Sequence, residues 1–149
     1  MNPVDLTARN LLPHRGRMLL VDDIIAVDDQ KAVTRSVAAD TWPLFDGDCI
    51  HPIILIELVA QTAGIHNGWV REKTEGPDID KRGWVVGVKH ARLPCRGFAL
   101  ETEFVTRSEN RFEFEGFREI LGTVEVEGAV IAEITIQLLR SGANVEKNE

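Results

Sequence analysis

Cysteine is scarce in this sequence, positive charge is outweighed, and long apolar runs are missing. Each shortage excludes something. Two cysteines in 149 residues, Cys49 and Cys95, form no disulfide framework and match no zinc spacing. Lysine and arginine number 17 against 24 acidic residues, for a net charge of −7, whereas a nucleic-acid binder carries a basic face. No stretch approaches the roughly 20 apolar residues of a membrane span. The opening MNPVDLTARN is polar and acidic where a signal peptide has a basic start and an apolar core, so a cytoplasmic location is expected. No phosphate-cradling glycine loop, nucleotide fingerprint or metal-ligand spacing is present. Neither a metal nor a cofactor is expected. No repeat, linker or low-complexity segment divides the chain. Residues 1–142 therefore read as one domain, and residues 143–149 as a disordered tail.

What is present is an ordinary globular composition, 44% hydrophobic and 28% charged. Most of it reads as strands. Met18 to Ala26 and Ala32 to Ala38 are short branched-rich runs either side of Asp28-Asp29-Gln30, a turn signal. Trp84 to Val88 is apolar and continues to Leu93. Leu100 to Thr106, Arg111 to Phe117 and Thr123 to Glu127 alternate apolar with charged residues, as half-buried antiparallel strands do. Ser108-Glu109-Asn110 and Leu121-Gly122 are the turns expected between them. Ala129 to Leu139 alternates again and ends at Ser141-Gly142.

Pro52 to about Lys73 breaks this pattern. The stretch is too long for a strand, has no internal proline, and starts with a proline suited to a first helical turn. It is apolar nearly all round from Ile53 to Ile65 and should be buried. Glu72, Lys73 and Glu75, then Gly76-Pro77, mark its end. One buried helix among roughly six antiparallel strands is an α+β arrangement, with a curved sheet wrapped around the helix. Gly64 and Gly68 weaken the helix and imply close packing against the sheet.

Glu57 and Gln61 stand out inside that helix. Four residues apart, they share one face. A carboxylate in an apolar setting either finds a partner or raises its pKa. The structural use is an ion pair with an arginine such as Arg15 or Arg17, or a cap on neighbouring backbone; the functional use is acid/base or substrate-orienting chemistry in an apolar channel. Spacing alone leaves both open.

The segments "LLPHRGRMLLVDDI" (Leu11 to Ile24), "ELVAQTAG" (Glu57 to Gly64) and "GVKHARLPCRGFALETEF" (Gly87 to Phe104) resemble the β-hydroxyacyl-acyl carrier protein dehydratases, hotdog-fold enzymes of fatty-acid synthesis. In that family the central helix carries a catalytic acid followed four residues later by glutamine. One departure matters. A histidine-phenylalanine-proline-glycine loop normally precedes the helix and supplies the catalytic base, and here the loop reads Leu44-Phe45-Asp46-Gly47. The divergent dehydratase-like proteins of aryl-polyene clusters are more similar, with an "LPHR" start and a "Leu-Phe … Ile-Glu … Ala-Gln" core.

The resemblance implies a hotdog fold, at least a dimer, and a tunnel between protomers. It implies an acyl carrier protein or coenzyme A thioester as partner. Glu57 then lines the tunnel as the acid/base carboxylate, with its pKa raised, and Gln61 orients it or the substrate carbonyl. Phe45 and Ile53 contact the acyl chain. The base is His51, displaced along the loop, or a histidine from a homologous partner chain. Arg15, Arg17, Arg92 and Arg96, with Lys89, form a local basic rim for an acidic carrier. A hotdog thioesterase and a non-catalytic dehydratase subunit are the other readings.

The remaining candidates have plainer uses. His14 is expected to bond within the N-terminal turn, and His90 to be structural. His66 is off the Glu57 face and is given no role. Cys49 lies two residues from His51, a spacing that permits a nucleophile–base pair, but a free cysteine more often fills a small apolar space. Asp46 and Asp48 read as turn residues.

Overall fold

The computed structural model describes residues 7–76, 78 and 82–140. A short helix α1 (Ala8–Leu11), capped by Thr7, and a single 3-10 turn (Gly16–Met18) lead into β1 (Asp23–Val27) and β2 (Lys31–Val37). The long helix α2 (Ile54–Glu75) follows, and then β3 (Gly83–Arg92), β4 (Glu103–Phe114), β5 (Phe117–Val126) and β6 (Ala129–Arg140). The strands make one antiparallel sheet in the order β1-β2-β4-β5-β6-β3. The α+β hotdog architecture is as the sequence implies. The tail at 143–149 lies outside the described residues.

Alternation explains why the sheet wraps the helix. Ala32, Thr34 and Ser36 of β2, Phe104, Thr106 and Ser108 of β4, Ile120 and Val124 of β5, and Ala132, Ile134 and Ile136 of β6 are all buried. Every second residue thus points at α2, which answers with Leu55, Leu58 and Val59. Small residues on the sheet let the two surfaces approach closely. A Cβ on Gly122 would lie 2.3 Å from Val59 Cγ1, so this glycine is a packing device. Thr34 and Thr62 exchange a buried hydroxyl hydrogen bond of 2.8 Å across the same layer.

Four sequence expectations need correction. Ser108-Glu109-Asn110 and Leu121-Gly122 are strand interior, within the β4–β5 ladder. The reversals fall instead at Glu115-Gly116 and Glu127-Gly128, whose paired positive φ angles (50° and 84°, 51° and 80°) are those of tight hairpin turns. Met18 to Val21 precede the first strand, because side-chain bonds from Gln61 hold the backbone there. Gly64 and Gly68 face the N-terminal segment and not the sheet: a Cβ at Gly68 would meet the Leu11 carbonyl at 2.6 Å, and one at Gly64 would meet Leu12 Cδ2 at 2.7 Å. The helix is also less enclosed than expected. Ile53 is exposed, and Ile56, Glu57, Ala60 and Gly64 are only partly covered.

Candidate functional site

The N-terminal segment, docked on the glycine stripe of α2, carries His14 to the open face of that helix. His14 Nε2 lies 3.2 Å from Glu57 Oε1. Gln61 Nε2, one turn on, donates to the same oxygen at 2.9 Å. Gln61 is itself fully used, donating to the Met18 carbonyl at 2.6 Å and accepting from the Leu20 amide at 3.0 Å. Its geometry is therefore fixed by backbone, and it fixes Glu57 in turn. Arg15 secures the other side, its Nη1 donating to the Leu12 and His14 carbonyls. Oε2 of Glu57 takes no hydrogen bond from the described residues and is the oxygen left for a ligand.

Glu57 is half-buried, with about a third of its side chain exposed. Burial pushes its carboxyl up, but the hydrogen bonds from His14 and Gln61, and the charge of His14 when protonated, outweigh it. The group sits below its ordinary value. The expected upward shift is thus reversed. The partners that lower it are His14 first and then Gln61, not Arg15 or Arg17, and His14's expected bond within the N-terminal turn is made by Arg15 instead.

The pair sits on a cavity of about 110 Å³ between the open face of α2 and the β5–β6–β3 part of the sheet. Leu12, Ala60, Val85, Leu138 and Leu139 give it apolar walls. Arg118 and Arg140 line it as well.

The other predicted residues lie elsewhere. His51 is exposed at the start of α2, where its Nδ1 accepts the Ile53 amide at 3.1 Å, and it is not part of the cavity wall. Phe45 packs on the core edge and bridges Ile50; neither it nor Ile53 lines the cavity. Leu44, which opens the Leu44-Phe45-Asp46-Gly47 loop, has a φ of 67°, a left-handed conformation costing about 1–2 kcal/mol for a side-chain-bearing residue. Arg92 pairs with Glu133 and Lys89 with Glu119, and Arg17 and Arg96 are exposed. None of these four, nor Arg15, reaches the cavity. Cys49 is unsuited to nucleophilic work: burial first, then Asp46 and Asp48, push its thiol up and keep it protonated. Sequence reasoning missed His14 as the partner of Glu57, and missed Arg118.

The family model of ApeP-like dehydratases matches residues 6–147. The chain belongs to the ApeP-like family. Among curated relatives of this ApeP-like protein, the 3-hydroxyacyl-[acyl-carrier-protein] dehydratase FabZ of Thermotoga neapolitana is 32% identical over 133 residues, covering 86% of each chain. Among solved structures, a chain of the dehydratase heterocomplex ApeI:P from Xenorhabdus doucetiae superposes with a TM-score of 0.80 at 20% identity, covering 91% of each chain. A hypothetical thioesterase from Streptococcus pneumoniae, solved with coenzyme A, gives 0.60 at 12% identity, covering 82% of this chain and 87% of its own. At such identities these likenesses speak for the hotdog fold. No helix among the described residues is long and apolar enough to cross a membrane.

Proposed function

We propose that this ApeP-like protein dehydrates 3-hydroxyacyl thioesters carried by acyl carrier protein or coenzyme A, with Glu57 as the reacting carboxylate. The observation that carries this reading is the held carboxylate. Glu57 Oε1 is gripped by His14 and Gln61 while Oε2 stays free at an apolar cavity. Dehydration breaks an α C–H bond and the C3–O bond, forms the C2–C3 double bond and releases water. The α proton goes to a base, and the departing hydroxyl takes a proton from an acid. Glu57 is below its ordinary value, so at neutral pH it must receive a proton before it can give one. His14, when protonated, is placed to supply it across 3.2 Å.

The base is His51 or a histidine of a second chain. His51 Nε2 is free of the bond made by Nδ1, but the side chain is outside the cavity. That favours the second source, as does the likeness to the ApeI:P heterocomplex. A partner chain has an obvious place. Among the described residues β3 is a sheet edge, paired with β6 alone, and it exposes Trp84, Val85, Val86 and Val88, of which Val85 lines the cavity. An uncovered apolar edge of this kind recruits another strand. Arg15, Arg17, Arg92 and Arg96 serve, on this reading, as an outer rim for the carrier, and the protein works in the cytoplasm.

A carboxylate already ionised at neutral pH also favours a second reading, in which Glu57 activates water against the thioester. Incubation with a 3-hydroxyacyl thioester, alone and with a histidine-bearing homologue, separates the two. Alkene formation supports dehydration and free thiol supports hydrolysis. Neither product, with or without the homologue, removes Glu57 from catalysis. Glu57→Gln should lower turnover by roughly 10²–10⁴-fold and leave the fold intact.

A further inference from the structure

The cavity that begins at Glu57 ends among cations. Arg118 on β5 is 6% exposed. Its only hydrogen bond among the described residues is a long one, 3.4 Å from Nη2 to Glu113 Oε1. Its Nε and Nη1 are buried without an acceptor among the described residues, as is Nε of Arg140. Asn67 on α2 lines the same end, with its Oδ1 also unpartnered. Glu113 pairs the Arg118 charge from one side, but a buried guanidinium normally satisfies its remaining donors as well, because each unmet buried donor costs free energy. Two arginines with idle donors on one cavity wall make a place prepared for negative charge.

Geometry sets which part of a ligand arrives there. Glu57 and Asn67 are roughly ten residues apart on α2, and so about 15 Å along its axis. Glu57 and His14 keep about a third of their side-chain surface in solvent, whereas Arg118 keeps almost none. The carboxylate end is the mouth; buried Arg118, beside half-buried Arg140, makes the floor at the other end, with apolar walls between them.

We propose that the floor is an oxyanion subsite, in which Arg118, supported by Arg140, receives a carboxylate at the distal end of the acyl chain. This rests on the proposed placement of the thioester and its reacting carbons at Glu57. An acyl chain ending in a methyl group would bury apolar surface against idle donors and gain nothing from them. One ending in an acid would form charge-assisted bonds to a guanidinium whose planar fork suits two oxygens. The Asn67 amide can turn its NH2 group toward the same oxygens. The acid selected is thus one carried by the substrate itself, far from the reacting carbons.

The test uses binding, so it does not depend on turnover. Two N-acetylcysteamine thioesters of equal length, neither containing phosphate, are titrated into the wild-type protein, one ending in methyl and one in carboxylate. The carboxylate-ended probe should bind roughly tenfold tighter or better. It should also shift the Arg118 Nε–H resonance, which the methyl-ended probe leaves in place. Arg118→Met should abolish the preference, and Arg118→Lys should retain part of it. Equal affinities in the wild type, or a preference that survives Arg118→Met, would overturn the subsite. If neither variant folds, the Nε–H resonance of the wild type decides. A resonance moved by neither probe means that ordered water alone occupies the floor. A resonance moved only by a methyl-ended phosphopantetheine thioester means that Arg118 serves the carrier arm. Either result overturns the proposal. A carboxylate preference in a protein that makes neither alkene nor thiol would sink the proposed activity and leave the subsite standing.

Discussion

His14 and Glu57, far apart in the chain, meet at 3.2 Å on the open face of α2, with Gln61 bonded to the same carboxylate oxygen. The pair has a measurable acid–base signature. Glu57's folded value is depressed below 4.5, so the fold favours the charged form. The resulting stability is present above the unfolded value and is lost as pH falls through the folded one. Glu57→Gln should lack this acid-side loss, so its melting temperature should approach that of the wild type as the pH falls. His14→Ala removes a hydrogen bond to Glu57, and a charge when His14 is protonated, and should move the Glu57 carboxyl titration to higher pH. A ¹³C titration of the carboxyl group reads this directly; an unmoved midpoint would show that His14 does not act on Glu57.

His66 carries the opposite kind of strain. It is 1% exposed, with Nε2 unpartnered among the described residues. Burial first, and then Arg118, hold its pKa below the ordinary 6.5. The unfolded chain therefore binds a proton that the folded chain refuses, and stability falls as pH drops below 6.5, levelling off under the folded value. Denaturation curves across that range should show the slope in the wild type and a flatter dependence in His66→Gln.

Gly122 offers a test of packing that is independent of function. Its Cβ position is already occupied by Val59, so Gly122→Val must push α2 off the sheet or distort β5. The expected loss is about 1–3 kcal/mol, read from the midpoint of chemical denaturation. A smaller partner should relieve it: Gly122→Val combined with Val59→Ala should recover part of the loss.

The exposed edge of β3 predicts assembly. Val86→Lys places a charge among Trp84, Val85 and Val88 and should shift the protein toward monomer in sedimentation at micromolar concentration. A wild-type protein that is monomeric both alone and with a histidine-bearing homologue would refute strand pairing at this edge.

How much of this was legible depended on the range of each interaction. The helix announced itself by the proline at 52, the apolar run after it and Gly76 behind it, all local signals. The strands did so by alternation. Ser108 failed as a turn marker because it faces inward beneath α2, where a small side chain is what the packing needs. Glu115-Gly116 and Glu127-Gly128 were the true hairpin signals, hidden by the more polar triplet nearby. In the site, Glu57 and Gln61 declared their shared face by spacing. The partner of Glu57 had no such signal, since His14 arrives through docking of a distant segment. The clue was the Gly64/Gly68 stripe, which marks a close approach without saying of what. Arg118 was invisible for a similar reason: in sequence it is one charge in an alternating strand, and only the fold turns it inward.

The tight hairpins at Glu115-Gly116 and Glu127-Gly128 also bear on the order of assembly. They make β4, β5 and β6 a meander whose neighbours in space are neighbours in sequence, so its loops close at small entropic cost. β3 precedes that meander in the chain yet pairs with β6, its last strand, and its contacts span a much larger loop. Such non-local pairings govern folding speed. The meander can template itself, whereas β3 must wait for β6 to exist. Gly83 and Val85, which complete the cavity wall, are therefore set in place after the last strand. During synthesis the Glu57 carboxylate emerges long before the wall beside it, and the cavity closes only when β6 has left the ribosome.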